Sequence, residues 1–304
     1  MALGKRRVFA RAQRATKTPG CRFVEGDIQY DRRLVRRGDA MATLQLKVQY
    51  FQDSTPPEVP CREENFVVRE LDFALPVEQT ALVLIDLWNV HHIDSWIERA
   101  EAVTKEVIAP LIGRAREYGL TIVQAPSPGV LANFPDKYEV YQGCTPEPEP
   151  GPPPSWPPAE FRNRQGTYAC FRGPRNQEPG IDLYWQSLTG QLDLSPHIAV
   201  EEGDFVVGTG QQLHDLCQER GILHLLFAGF ATNWCILGRD YGVRAMRGRG
   251  YNTILVRDAT DGVEFPDTLE AKWATELAVR EVEQVHGFST STADFYAACT
   301  RIVH

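Results

Sequence analysis

Thr80-Ala-Leu-Val-Leu-Ile-Asp86 is the stretch that decides the fold. Six uncharged residues run into an acid, the pattern of a strand buried on both faces rather than of one with a solvated side. Residues 96–118 then read as one helix, capped by Asp94 or Ser95 and stopped by Gly119. Leu120-Thr-Ile-Val-Gln-Ala125 follows as a second strand, closed by Pro126 and Pro128. Strand, helix and strand at this spacing form a right-handed crossover, so the sheet is parallel here.

Working outward, the alternation breaks at residues 145–158, which hold eight of the chain's 21 prolines. Proline has no amide donor and cannot continue a helix or a central strand, so 129–196 reads as a long surface insertion. Its aromatic residues Trp156, Tyr168, Phe171, Tyr184 and Trp185 are candidates to pack back onto the domain or to line a pocket. Regular elements resume with Phe205-Val-Val, a helix Gln211–Arg220 ended by Gly221, and a third buried strand, Leu223–Ala228. A helix with Cys235 in its first turn is expected to run to about Arg249, followed by a strand Tyr251–Val256, a helix Thr268–Val285 and a short β segment near Phe288–Thr290. The expected fold is α/β: a three-layer, doubly wound, mainly parallel sheet formed by residues 41–304 as a single domain. Ligands of such sheets bind beyond the carboxyl ends of the strands.

Composition narrows the function. The chain has 304 residues and a formal charge of −8, against the basic face that a general nucleic-acid binder needs. No apolar run reaches membrane-spanning length, so no membrane partner is expected. Residues 1–40 hold eleven basic and four acidic side chains and no apolar pattern. They read as a disordered basic arm, a transit-like peptide, or a mis-assigned start ahead of Met41. Seven scattered cysteines, with no Cys-x-x-Cys pair, suggest neither a zinc ribbon nor a disulfide scaffold and fit a reducing, cytoplasmic compartment. Gly208-Thr-Gly210 lacks the rest of a phosphate-loop pattern.

Two residues at strand ends can carry chemistry. Asp86 closes the first strand, and Cys235 lies just past the third. A thiol at a helix N-terminus meets unpaired amides that favour the thiolate, so Cys235 is expected to alkylate faster than Cys217 or Cys299. A nearby acid would take the thiol proton and return it to a leaving amine. The plainer alternative is a buried, inert cysteine.

Gly229-Phe-Ala-Thr-Asn-Trp-Cys235 resembles the Gly-x-x-Thr-x-x-Cys signature of the isochorismatase-like cysteine hydrolases, which include nicotinamidases and N-carbamoylsarcosine amidohydrolases. Ile85-Asp-Leu-Trp-Asn89 is similar to their Asp-x-x-Asn motif, and the likeness covers roughly 76–128 and 200–295. The resemblance implies attack by Cys235 on a carbonyl carbon, Asp86 as base, and a cis bond between Phe230 and Ala231. It also implies an oxyanion hole from the amides of Ala231 and Cys235. Asn89, Trp88, His91 and Trp234 are the expected substrate-binding residues.

One departure stands out. The family lysine that follows the strand before the Thr-x-Leu helix has no counterpart in Gly203-Asp-Phe-Val-Val-Gly-Thr-Gly-Gln-Gln-Leu213. Without a cation, a carboxylate beside a thiolate is a like-charge pair that resists ionising together. Lys137, Arg162, Arg164 and Arg172 are candidates to replace it, with Lys137 nearest in kind. The expected function is hydrolysis of a small-molecule amide or ureido C–N bond through an acyl-thioenzyme, without a cofactor, in a homo-oligomer. The alternatives are a catalytically silent binding or assembly protein, and a metal-assisted hydrolase using Asp86 with His91 and His92.

Overall fold

Buried alternation is what the sheet is built on. The computed structural model describes residues 42–145 and 151–301, and the reading of residues 1–40 lies outside them. Two strands that the sequence reading missed come first, β1 (Thr43–Gln52) and β2 (Val67–Pro76), joined as an antiparallel hairpin. Next come β3 (Thr80–Ile85), α1 (Asp94–Val103), α2 (Ala109–Glu117) and β4 (Thr121–Ala125). The insertion carries α3 (Pro128–Asn133), α4 (Ala159–Arg162) and α5 (Ile181–Ser187). The chain then continues through β5 (Phe205–Val206), α6 (Gly210–Arg220), β6 (His224–Phe230), α7 (Val243–Gly248), β7 (Asn252–Asp261), α8 (Trp273–Glu281), β8 (Phe288–Thr290) and α9 (Thr292–Cys299).

The described residues form one eight-stranded mixed sheet in the order β2-β1-β8-β7-β6-β3-β4-β5. From β8 to β5 the pairings are parallel, and the hairpin adds an antiparallel edge. Alternate residues of β3 feed two cores: Leu82 and Leu84 pack on one face, Ala81, Val83 and Ile85 on the other. The sheet is therefore covered on both sides, which makes three layers. No helix among the described residues is long and apolar enough to cross a membrane.

Three helices differ from their sequence reading. The single helix expected over 96–118 runs without interruption from Asp94 to Glu117, but a π turn at Thr104–Ile108 divides it into α1 and α2. Pro110 explains the division, because it has no N–H to give to the preceding turn. The cap of α1 is Ile93 rather than Asp94 or Ser95. α8 starts at Trp273 rather than Thr268, where Glu264 accepts from the amides of Ala274 and Thr275, both at 2.9 Å. The third difference, past Cys235, shapes the site.

Candidate active site

β3 and β6 are parallel neighbours with Ile85 opposite Gly229, so the residues that follow them emerge side by side at one rim. This close approach demands glycine. A Cβ on Gly229 would lie 2.0 Å from the Ile85 carbonyl oxygen, and φ there is +116°. Asp86 leaves its strand with φ +50°, a left-handed conformation that aspartate tolerates better than most residues. Its carboxylate is fully buried.

Cys235 does not begin a long helix. Thr232–Ile236 is a five-residue π turn, the helix breaks over 239–242, and α7 starts afresh at Val243. Gly242 permits the break, since a Cβ there would lie 2.6 Å from the Ile236 carbonyl oxygen. Asp240 anchors it, accepting from the Gly210 amide at 2.7 Å, and the buried Tyr241 hydroxyl donates to Pro126 O at 3.1 Å. Thr232 Oγ1 pairs with Thr260 Oγ1 at 2.7 Å, which ties the turn to β7. The Phe230–Ala231 peptide bond is cis.

The break turns Arg239 inward. Its Nε and Nη2 donate to Asp86 Oδ2 at 3.0 and 2.8 Å. Oδ1 of the same carboxylate is buried and makes no hydrogen bond of ordinary length. The cation beside Asp86 is therefore Arg239, and the expectation of Lys137 is corrected. Lys137 is half-exposed and bonded to Asp193 in a second cavity. Arg162 donates to Pro157 O, Arg164 lies over the Phe161 ring, and Arg172 pairs with Glu178. The glycines that bracket Gly238-Arg-Asp-Tyr-Gly242 were the available signal that the helix would break there.

Electrostatics follow from burial. Desolvation raises the Asp86 pKa, and the Arg239 charge and the neighbouring Cys235 thiol work against that rise. Burial also pushes the Cys235 thiol up to about 12, reinforced by the Asp86 charge and opposed by Arg239 and the Ala231 amide. The direction is opposite to the lowering expected of a thiol at a helix N-terminus, and burial raises Cys217 and Cys299 in the same way.

Trp88, His91, Arg175, Trp185, Trp234, Cys235, Gly238 and Arg239 line a cavity of about 470 Å³. His91 lies parallel to Trp88, with ring centroids 5.3 Å apart, and its Nδ1 accepts from the Ile93 amide at 3.1 Å. The ring proton is therefore on Nε2. Burial, then His92 and Arg175, push the His91 pKa down to about 3, so it is a neutral donor. Burial and Arg175 lower His92 as well. The two imidazoles lie 4.2 Å apart, but one His91 nitrogen is engaged. Among the described residues no group of three His, Cys, Asp or Glu side chains gathers to hold a metal ion. The pair alone does not make a ligand set.

Asn89 is placed away from this cavity. Its side chain accepts from the Asp193 amide at 2.8 Å and donates to Gln191 O at 2.9 Å, pinning the end of the insertion, and it lines the second cavity. Its expected contact with substrate is corrected to that clamp. Of the insertion's aromatics, Trp185 joins the cavity, while Trp156 and Phe171 are exposed. Arg175, Gly238 and Arg239 are the cavity residues that the sequence reading left out.

The family model described as "Isochorismatase domain" matches residues 80–285. No curated protein matches the chain. Among solved structures, a cysteine hydrolase from Pseudomonas syringae pv. phaseolicola 1448A is similar at 14% identity and a TM-score of 0.47, covering 73% of this chain and 93% of that one. An isochorismatase family protein from Burkholderia thailandensis has 20% identity and a TM-score of 0.42, covering 73% and 96%. An isochorismatase from Pseudomonas putida KT2440 has 20% identity and a TM-score of 0.42, covering 71% and 90%. The match to the family model spans the strands that carry Asp86 and Cys235, and the chain belongs to the isochorismatase family.

Proposed function

We propose that this chain is a cysteine hydrolase that cleaves the C–N bond of a small amide or ureido compound. The observation that carries the reading is the group of three at the rim: the half-buried Cys235 thiol neighbouring the buried Asp86 carboxylate, with Arg239 held on Asp86 Oδ2. Arg239 pairs with Asp86 Oδ2 and leaves Oδ1 without a partner, as a base needs. An arginine cannot lose its proton, so it stabilises charge here without relaying protons.

In the scheme, Cys235 Sγ bonds to the carbonyl carbon while its proton passes to Asp86. The amides of Ala231 and Cys235 receive the developing oxyanion. The C–N bond then breaks as Asp86 gives its proton to the departing nitrogen. Water next attacks the thioester: a C–O bond forms, the C–S bond breaks, and the water proton returns to sulfur by way of Asp86. Because the resting thiol stays protonated, proton transfer accompanies attack. The silent alternative rested on a missing cation, and Arg239 supplies one.

The test is a panel of small amides, ureas and carbamoyl compounds offered to the wild type and to Cys235→Ala. Hydrolysis of at least one compound by the wild type is expected, with a loss of about three orders of magnitude or more in the variant at unchanged circular dichroism. Equal rates in the two proteins would sink the proposal.

A further inference from the structure

The cavity beside Cys235 is more cationic than a neutral amide requires. Arg175 and Arg239 both line it, and the adjoining carboxylate of Asp86 is already bonded to Arg239. Arg175 comes from the insertion, on the short turn Pro174–Asn176, with its guanidinium 4.9 Å from the centroid of Trp234. Nearby Arg172 pairs with Glu178, whereas Arg175 forms no ion pair among the described residues. Its field reaches inward, since it helps to keep both His91 and His92 neutral. The remaining walls are flat: Trp88 and Trp185 meet edge to face at 6.1 Å, and Trp234 lies under the guanidinium.

We propose that this site selects a planar, conjugated amide that also bears a carboxylate, with Arg175 as the residue that recognises the anion. The proposal rests on the reading of Cys235 as nucleophile. A guanidinium offers a carboxylate two parallel N–H donors, and although Arg175 is exposed, the Trp234 ring beneath it braces the fork at the mouth of the cavity. The indole faces suit a flat ring or conjugated chain. Seating of the anion at Arg175 would fix which carbonyl lies over Cys235, making Arg175 a specificity residue rather than one that touches the reacting atoms.

The experiment compares 4-carbamoylbenzoate, its neutral amide terephthalamide, and the flexible anion succinamate as substrates of the full chain. 4-Carbamoylbenzoate should exceed each of the others in kcat/KM by about tenfold or more. Its advantage over terephthalamide should fall toward one in Arg175→Gln and invert in Arg175→Glu. In parallel, quenching of tryptophan fluorescence in Cys235→Ala should show terephthalate binding more tightly than terephthalamide, and the double variant with Arg175→Glu should lose that preference. Hydrolysis of the neutral and anionic amides at equal rates leaves the hydrolase reading standing and overturns this one. A binding preference for the anion without hydrolysis of any compound supports the anion site and overturns the hydrolase reading. No binding of terephthalate at millimolar concentration overturns the proposal, and succinamate matching 4-carbamoylbenzoate overturns its planar part.

Discussion

At the scale of single residues, the sign of one interaction decides how the site works. Burial raises the Asp86 pKa and Arg239 opposes the rise, so removing Arg239 must raise it further. If ionised Asp86 is the base, activity disappears as pH falls through that pKa. Arg239→Gln is therefore expected to move the acidic limb of the kcat/KM profile to higher pH and to lower the rate at neutral pH by about 10² or more. Arg239→Lys, which keeps a charge but loses the fork, should recover part of both. A limb that stays in place in Arg239→Gln would make the arginine a mere structural prop. Asp86 and Cys235 were legible in the sequence because strand ends and signature spacing mark them. Arg239 was not, because it acts only after a helix read as continuous is broken, and that break depends on contacts made by Asp240 and Tyr241 with distant segments.

Elements bring these residues together, and one tight constraint is the close approach of the end of β6 to its parallel neighbour β3. Gly229→Ala would force a methyl group into the Ile85 carbonyl at a φ that alanine avoids. A loss of about 3 kcal/mol or more in chemical denaturation is expected, or failure to fold. A loss below about 1 kcal/mol would mean that the two strand ends are not as close as described. The parallel strands were readable because each is a short apolar run between turn signals, and β8 lies where it was expected. The β1–β2 hairpin was not. β1 does alternate, with Leu44, Leu46 and Val48 buried, but β2 is an edge strand with mostly exposed residues and a weak pattern. Helix ends were misjudged wherever a distant side chain did the capping, as Glu264 does for α8.

For the molecule as a whole, the insertion is part of the site. It leaves after β4, where Trp88 Nε1 donates to Ser127 Oγ at 3.2 Å, and returns where Leu194 bridges to Trp88 and Asn89 holds Asp193, so both ends are tied to the loop that follows Asp86. Between those ties it delivers Trp185 to the cavity, where the indole packs against Trp88, His91 and His92 at 6.1, 5.3 and 5.1 Å. Proline content marked this segment as irregular, but composition carries no information about which of its aromatics turns inward. Trp185→Ala would remove a wall from the cavity at the margin of one core, against which the half-buried indole packs, while leaving the other core untouched. The expected result is a fall in kcat/KM of about tenfold to a hundredfold, with the midpoint of chemical denaturation nearly unchanged. A drop in stability that accounts for the lost activity would instead make Trp185 a packing residue. Unchanged kinetics would mean that substrate does not reach the part of the cavity that the insertion builds.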